Sequence, residues 1–276
     1  MALTPLDEER LHEALALARG SFGLTEPNPR VGCVIGLADG TRLGAGATQR
    51  AGSAHAEVMA LREVAASGAS AAGATAWVTL EPCAHHGRTP PCCDALVAAG
   101  IRRVVIAIGD PYAEVAGRGI ARLRAAGVEV ELAGEAQARN ALDVNIGFFS
   151  RVLRGRPWVR MKVAASIDGR TALTDGRSQW ITGEAARADG HAWRHRASAV
   201  ATGIGTVLAD DPRLDVRLVE ALHQPLRVVL DSSLRTPADA RVLAPPGAVV
   251  LVTALPESDP RVAARRAAGV EVVCFA

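Results

Sequence analysis

One histidine, two well-separated cysteines and one glutamate are the residues of this sequence whose types and spacing could do chemistry. His55 and Glu57 stand in the tripeptide HAE, and Cys83 and Cys92 follow in the segment EPCAHHGRTPPCC. Histidine nitrogen and cysteine thiolate are ligands that zinc prefers, and three protein ligands leave a fourth position open for water. The pattern therefore predicts a catalytic zinc site, with Glu57 as an acid/base that does not bind the metal.

The motif itself favours catalysis, but two other interpretations of these residues remain. H-x-E followed by P-C and a second cysteine is typical of zinc deaminases that act on nucleobases, in which the glutamate shuttles protons. An isolated HAE is also an ordinary helix start, and the cysteines could be buried thiols or part of a structural zinc site completed by His85 and His86. The predicted order of HAE, a strand, P-C, a loop and P-P-C at a helix start favours the catalytic site.

Length and composition restrict the class of protein. A chain of 276 residues with 49% apolar residues is long enough for two domains with cores of their own. The net charge is +2, and no basic run interleaved with aromatic residues indicates a nucleic-acid groove. The sequence shows neither a signal peptide nor an apolar run long enough for a membrane span. Five cysteines, three of them in one loop, favour a metal site in the reducing cytoplasm over a disulfide framework.

Helical and strand-like patterns alternate along the chain and predict an α/β fold. The predicted domains are 1–148 and 149–276. Near the boundary, the pattern predicts one helix over Ala138–Ser150 and a strand over Trp158–Ala164 that opens the second domain. The pair Gly203 and Gly205 follows a predicted strand and could admit a phosphate, but it lacks the third glycine of a dinucleotide fingerprint.

Longer motifs resemble those of the bifunctional deaminase-reductase family of riboflavin biosynthesis. They cover nearly the whole chain and comprise PNPRVGCVIG, HAE, TLEPCAHHGRTPPCCDAL, VAGRG, MKVAASIDGRTAL, SQWIT, TVLADDPRL and RVVLDS. The long loop between Cys83 and Cys92 is the most specific, because cytidine, guanine and tRNA-adenosine deaminases usually space these cysteines two apart. The resemblance implies a cytidine-deaminase-like three-layer α/β/α domain followed by a partial dihydrofolate-reductase-like α/β domain.

The resemblance implies two consecutive reactions on a phosphorylated pyrimidine. The first domain would hydrolyse the 2-amino group from 2,5-diamino-6-ribosylamino-4(3H)-pyrimidinone 5′-phosphate. Zinc held by His55, Cys83 and Cys92 would lower the pKa of water towards about 7, and Glu57 would transfer the protons. The implied substrate contacts are Asn28, His85 and Arg88, whose planar guanidinium suits a phosphate.

The second domain would reduce the ribosyl group of the product to ribityl with NADPH. Lys162 is the only lysine among 31 basic residues, and lysine can donate a proton where arginine stays charged. By resemblance it lies in the reductase site and would protonate the ring oxygen as hydride reaches C1′. The residues implied around the nicotinamide cofactor are Ala164, Trp180, Thr206, Asp210 and Ser232. The residues implied around the ribosyl phosphate are Ser178, Arg194, Leu214 and Arg217.

Three departures from the family pattern shape the expectations. Ala47-Thr48 stands where the family usually has an aromatic-His pair, and Tyr112 interrupts the family's DPNP motif. The sequence stops before a Gly-rich segment of the VEGGP type, so we expect a C-terminally incomplete reductase domain. Its open sheet edge would favour a homo-oligomer.

The leading hypothesis is therefore the bifunctional enzyme. The alternatives are a deaminase whose second domain is inactive and serves binding or dimerisation, a nucleic-acid-directed deaminase, and a structural zinc module. A basic stripe beside the zinc would favour the nucleic-acid-directed deaminase, and the sequence offers no such stripe.

Overall fold

Helices and strands alternate in a computed structural model of the chain, which describes residues 3–85, 90–113, 115–221 and 223–275. They form two units, Met1–Arg160 and Met161–Ala276. Both units combine a sheet with flanking helices, so the predicted α/β class is confirmed.

The first unit contains five strands and six helices among its described residues. The strands are Gly32–Gly36 (β1), Arg42–Ala47 (β2), Thr75–Val78 (β3), Arg103–Ile106 (β4) and Glu129–Leu132 (β5). The helices are Pro5–Arg19 (α1), Ala56–Ala66 (α2), Cys92–Ala98 (α3), Arg118–Ala125 (α4), Glu135–Val144 (α5) and Ile146–Arg154 (α6).

The sheet of the first unit has the order β2-β1-β3-β4-β5. β1 is antiparallel to both β2 and β3, whereas β3, β4 and β5 run parallel. The carboxyl ends of β3 and β4 therefore lie at one edge. Side chains that follow parallel strands meet at such an edge, and this is where the predicted zinc ligand Cys83 leaves β3.

Two buried layers cover the faces of this sheet, because successive strand residues point to opposite sides. On one face, Ile35 and Val104 pack with residues of α2, α3, α4 and α6. On the other face, Val34 and Val105 pack with residues of α1 and α5. The first unit is thus a three-layer α/β/α structure, and its helices α2 and α3 bring their N-termini to the zinc-ligand edge.

A buried carboxylate fastens α1 to the sheet. Thr4 caps α1 in a capping box with Asp7, and the same Asp7 carboxylate accepts hydrogen bonds from Trp77 Nε1 at 2.7 Å and from Arg103 Nη1 at 2.7 Å. Burial alone would raise the pKa of Asp7, but the hydrogen bonds from Arg103 and Trp77 hold it well below its usual value. Asp7 therefore joins one helix to two neighbouring strands.

The helix predicted over Ala138–Ser150 is two helices in the structure. Asn145 separates α5 from α6 with φ −114° and ψ 18°. Its side chain leaves helical packing to pair with the backbone of Arg30, accepting from the N–H at 2.7 Å and donating to the C=O at 2.8 Å. A partner this remote in sequence leaves no trace in local periodicity, which explains the difference.

Among its described residues, the second unit is built on four parallel strands. The strands are Ala199–Gly203 (β6), Leu226–Leu230 (β7), Val249–Thr253 (β8) and Glu271–Cys274 (β9), in the order β6-β7-β8-β9. The helices are Glu184–Arg196 (α7), Ile204–Asp210 (α8) and Pro260–Ala267 (α9), with a short 3-10 helix at Arg241–Leu243. Val229, Leu251 and Val262 are fully buried at the centre of its core.

The predicted strand Trp158–Ala164 is wrong. No strand is assigned to these residues, all of which are described. Met161 and Val163 are 85% and 55% exposed, and Ile167 beyond them is fully exposed. A strand is stable only when a neighbour completes its hydrogen-bond ladder, and no described strand pairs with this apolar run.

None of the described helices is both long enough and apolar enough to cross a membrane.

Candidate metal centre and substrate cavity

Two helix starts and the segment after a strand bring the predicted zinc ligands together. His55 is the N-cap residue of α2, Cys83 follows the end of β3, and Cys92 is the first residue of α3. The backbone N–H of Cys92 donates to Cys83 Sγ at 3.3 Å. The free N–H groups and dipole at a helix start favour a thiolate, so α3 stabilises both sulfur atoms.

The distances in this cluster fit a zinc ion. His55 Nδ1 lies 3.6 Å from Cys83 Sγ and 3.3 Å from Cys92 Sγ, and all three ligand atoms lie within 4.8 Å of one another. Tetrahedral zinc with ordinary Zn–S and Zn–N bonds separates sulfur from nitrogen by roughly 3.6 Å. Within the described ranges, these three side chains form the cluster of metal-binding residues. His86, named above as an alternative ligand, lies outside those ranges.

The electrostatics of the cluster favour bound metal. Hydrogen bonds from the Cys92 thiol, His55 and the Cys92 N–H outweigh burial and lower the pKa of Cys83 to about 4. The neighbouring Cys83 sulfur in turn raises the pKa of His55 and, together with burial, that of Cys92. A thiolate at Cys83 thus lies where a cation would sit, and a bound metal would displace the protons that His55 and Cys92 retain.

Glu57 lies in the first turn of α2, beside the cluster. It is only 3% exposed, and burial, helped by the charge of Cys83, raises its pKa to about 7. A hydrogen bond with the Cys92 thiol works in the opposite direction. A carboxyl group with this pKa can both take and give a proton near neutral pH.

A cavity of about 860 Å³ opens in front of these residues. Seven segments of the first unit line it: the turn before β1, the loop after β2, the start of α2, the residues after β3, the segment that begins at Cys83, the loop after β4, and α6. The lining residues used below are Asn28, Thr48, His55, Glu57, Glu81, Cys83, His85, Asp110, Tyr112, Val115, Phe148 and Arg151. The volume suits a small-molecule ligand.

Glu81 holds the loop after β4 over the cavity. Its carboxylate is buried and accepts from the backbone N–H groups of Gly117 at 3.0 Å, Gly119 at 2.9 Å and Ile120 at 3.2 Å. The N–H of Asp110 also points to it, at 3.3 Å. Burial raises the pKa of Asp110 to about 6, so the loop places a second weakly acidic carboxyl group on the cavity wall.

Those predicted substrate contacts of this domain that the structure describes lie at the same cavity. Asn28 is half-buried, His85 is exposed, and both line it. Arg88 lies outside the described residues. Of the departures from the family pattern, Thr48 and Tyr112 also face the cavity.

Sequence reasoning missed the contribution of α6. Phe148 and Arg151 line the cavity, although they lie far along the chain from His55. The only signal in the sequence is the group of aromatic and basic residues in NIGFFSR, at the end of the helix predicted over Ala138–Ser150. The contact itself depends on the fold.

In the second unit, two predicted phosphate contacts share partners. Arg194 Nη1 donates to the C=O of Asp215 at 3.3 Å, and Arg217 Nη1 to its carboxylate at 2.8 Å. The N–H of Arg217 donates to His191 Nδ1 at 3.2 Å. Burial and the two arginines lower the pKa of His191 to about 4, so its ring is neutral and can accept. Leu214, also predicted here, is buried with φ 57°.

The predicted cofactor residues Thr206, Asp210 and Ser232 follow the carboxyl ends of the adjacent parallel strands β6 and β7, where cofactors bind in open α/β sheets. Ideal Cβ atoms at Gly203 and Gly205 would meet no heavy atom within 4 Å. The space around this turn is therefore open at both glycines.

The remaining predicted reductase residues lie on the irregular segment before α7. Trp180 is 68% exposed, with the Arg187 guanidinium 4.5 Å from its ring centroid. Ser178 and Ala164 are half-buried and Lys162 is exposed. An ideal Cβ at Gly190 would lie 4.0 Å from Lys162 Cε, which places this lysine beside α7, the helix that carries Arg194.

Two family models match the chain. The model of the cytidine and deoxycytidylate deaminase zinc-binding region matches residues 5–108, which include the metal cluster. The model of the RibD C-terminal domain matches residues 157–271.

Curated and solved relatives match both units together. The riboflavin biosynthesis protein RibD of Escherichia coli is 48% identical over 256 residues, which cover 87% of this chain and 67% of that protein. The Aquifex aeolicus RibD is 44% identical, with coverage of 86% and 65%. The structure of Acinetobacter baumannii RibD, form 1, matches with a TM-score of 0.83 at 43% identity, covering 98% of this chain and 74% of that one.

A second solved relative is named for two enzyme activities. The diaminohydroxyphosphoribosylaminopyrimidine deaminase/5-amino-6-(5-phosphoribosylamino)uracil reductase of Thermotoga maritima matches with a TM-score of 0.86 at 36% identity and the same coverage. Across the curated relatives given above, the chain spans about two thirds of their length.

Proposed function

Because this chain belongs to the RibD family of riboflavin biosynthesis proteins, we propose that it is a zinc-dependent deaminase fused to an NADPH-dependent reductase. Its first unit would deaminate 2,5-diamino-6-ribosylamino-4(3H)-pyrimidinone 5′-phosphate. Its second would reduce the ribosyl group of the product to ribityl.

The observation that carries the proposal is the buried Glu57 beside three converging metal ligands. His55, Cys83 and Cys92 supply one nitrogen and two sulfur atoms at distances that suit tetrahedral zinc. Glu57 stands next to them at the cavity wall, with a pKa suited to proton transfer. A structural zinc site would need neither a cavity nor a titrating carboxyl group.

The chain's own residues account for the proton movements of deamination. When bound, zinc supplies a water molecule acidic enough to act as a nucleophile near neutral pH. Glu57, on the cavity wall, would accept a proton from the attacking water at the amino-bearing carbon of the pyrimidine. It then donates to the departing nitrogen, so that ammonia leaves as a neutral molecule. Asn28 and His85 would hold the ring in place.

For the second unit, we propose that the NADPH phosphates lie at the open turn after β6, near Thr206 and Asp210. Arg194 and Arg217 would bind the ribosyl phosphate, held in position by Asp215. Lys162 would donate a proton to the ring oxygen as hydride reaches C1′. Its place beside α7 supports this role.

Replacing Glu57 with Gln tests the deaminase. We expect ammonia release from the diaminopyrimidine to fall about 10²–10⁴-fold, with zinc content measured by atomic absorption unchanged. Glu63→Gln is the matched control, since it makes the same change on the same helix at a half-exposed salt bridge with Arg42. If the Gln variant at 57 released ammonia as fast as wild type, the catalytic zinc proposal would fail.

A second candidate function is deamination alone, with a second unit that only binds or dimerises. The exposure of Met161 and Val163 around Lys162 favours it, because an enclosed hydride-transfer site would bury this segment. The loss of NADPH absorbance in the presence of the deaminated product distinguishes the bifunctional enzyme from the deaminase. Turnover supports the bifunctional enzyme, and its absence supports the deaminase.

We also propose that the protein self-associates and works in a reducing compartment. β6 pairs with β7 only, as far as the described strands show, and an open edge invites a second strand. All five cysteines are free, as is usual in the cytoplasm. Sedimentation of the purified chain would measure its oligomeric state.

A further inference from the structure

The deaminase cavity contains an unequal distribution of charge. Three carboxyl groups line it, those of Glu57, Glu81 and Asp110. Of the described residues that line it, Arg151 is the only arginine or lysine. A substrate that carries a phosphate brings further negative charge into this cavity, and it needs a fixed positive charge at its phosphate end.

Arg151 is placed and held so that it can supply that charge. It lies on α6 at the exposed rim of the cavity. Its Nη2 donates to the C=O of Pro27 at 3.1 Å, and its guanidinium carbon lies 5.9 Å from the centroid of the Phe148 ring. A guanidinium has five N–H donors, so this one bond orients the group and leaves others for an anion.

The anchor of Arg151 also relates it to the predicted substrate turn. Pro27 directly precedes Asn28, and Asn145 clamps the other end of this turn through Arg30. The turn and α6 are therefore joined at two points, and Asn28 and Arg151 line the same cavity.

We propose that Arg151 binds the phosphate of the deaminase substrate. This inference rests on the proposed deaminase function and adds a contact from α6 to the one predicted for Arg88. A planar guanidinium can bind two phosphate oxygens at once, which makes Arg151 a determinant of specificity for phosphorylated over dephosphorylated pyrimidines.

The test compares the diaminopyrimidine 5′-phosphate with the same compound after phosphatase treatment. For each enzyme, kcat/KM for ammonia release is measured with both compounds, and their ratio is the phosphate preference. We expect Arg151→Ala to lower this preference about tenfold to a hundredfold, mostly through KM. Competitive inhibition by inorganic phosphate should weaken in parallel.

Three further variants keep the test decisive. Arg151→Gln retains a donor for Pro27 without the charge and should lose the preference as Arg151→Ala does, even if the alanine variant folds poorly. Arg151→Lys keeps a point charge and should retain part of it. Arg154→Ala, also on α6 and with its guanidinium over Trp158, is the matched control and should retain the full preference.

The possible failures are distinguishable. Equal losses for both compounds in Arg151→Ala would mean that the residue only supports the turn at Asn28, and the inference would be overturned. An unchanged preference in Arg151→Gln would overturn it as well. If wild type released no ammonia from either compound, the deaminase proposal itself would be at fault.

Discussion

The metal cluster of the first unit and the Lys162 segment of the second unit differ in how their residues are held. His55 and Cys92 stand at helix N-termini, and Cys83 follows a central strand, so each is held by an element with residues in the first core. The segment around Lys162 has no regular structure, and its apolar side chains Met161 and Val163 face solvent.

This difference shows that motif residues alone do not make a preorganised site. A catalytic group needs a position fixed within a fraction of an ångström, which comes from packing and from hydrogen bonds behind it. The zinc cluster has both. Lys162 has a neighbouring helix, but its segment belongs to no described strand. The structure therefore holds the lysine of the proposed reductase less firmly than the zinc ligands of the proposed deaminase.

The largest expected effect is that removal of the metal abolishes the activity of the first unit only. Cys83→Ser should remove the zinc and lower ammonia release by on the order of 10³-fold or more. NADPH oxidation with the deaminated product should persist, because the affected residue lies in the first unit. Bound zinc and both half-reactions are measured on the same preparation. If Cys83→Ser lost both activities together, the two units would not differ in their dependence on the metal, and the comparison would fail.

A smaller effect concerns the stability of the first unit. Asp7→Asn should lower the free energy of unfolding by about 2–3 kcal/mol at neutral pH, because it removes the buried carboxylate paired with Arg103 and Trp77. The folded pKa of Asp7 lies below the unfolded value of about 3.9. Its contribution is therefore complete above that pH and is lost as the pH falls further.

Urea unfolding at several pH values measures this dependence. The difference between wild type and Asp7→Asn should shrink as the solution is acidified below about pH 4. A difference that stays constant down to acid pH would mean that the charge of Asp7 does not stabilise the fold.

The smallest effect belongs to the exposed segment. Met161→Ala should change the free energy of unfolding by less than about 0.5 kcal/mol, because the side chain is 85% exposed. Leu251→Ala, at the centre of the second core, is the control and should cost about 2–5 kcal/mol. Similar costs for both variants would mean that the segment is buried in solution, and the two sites would then be equally supported.

The sequence predicted those parts of the fold that depend on local signals. Helices and strands of the first unit follow from periodicity, and HAE with the two P-C pairs was enough to expect His55, Cys83 and Cys92 in one place. Their catalytic and ligand roles stay predictions. So do the contacts assigned to Asn28 and to the reductase residues.

What the sequence did not predict depends on partners far along the chain. The helix break at Asn145 follows from its bonds to Arg30, and the place of Arg151 at the cavity follows from Pro27. The failed strand at Trp158–Ala164 is the converse case. Its residues have strand propensity, but propensity is expressed only against a neighbouring strand.

The buried carboxylate of Glu81 has a consequence for how this protein can change. It accepts from main-chain N–H groups in the loop after β4 and in the first turn of α4, and a Cβ at Gly119 in that turn would lie 2.1 Å from the Pro82 carbonyl oxygen. Tyr112 lines the cavity on the same loop but is not among the residues that Glu81 binds. A change of the Tyr112 side chain would therefore alter the cavity wall and leave the hydrogen bonds of Glu81 in place.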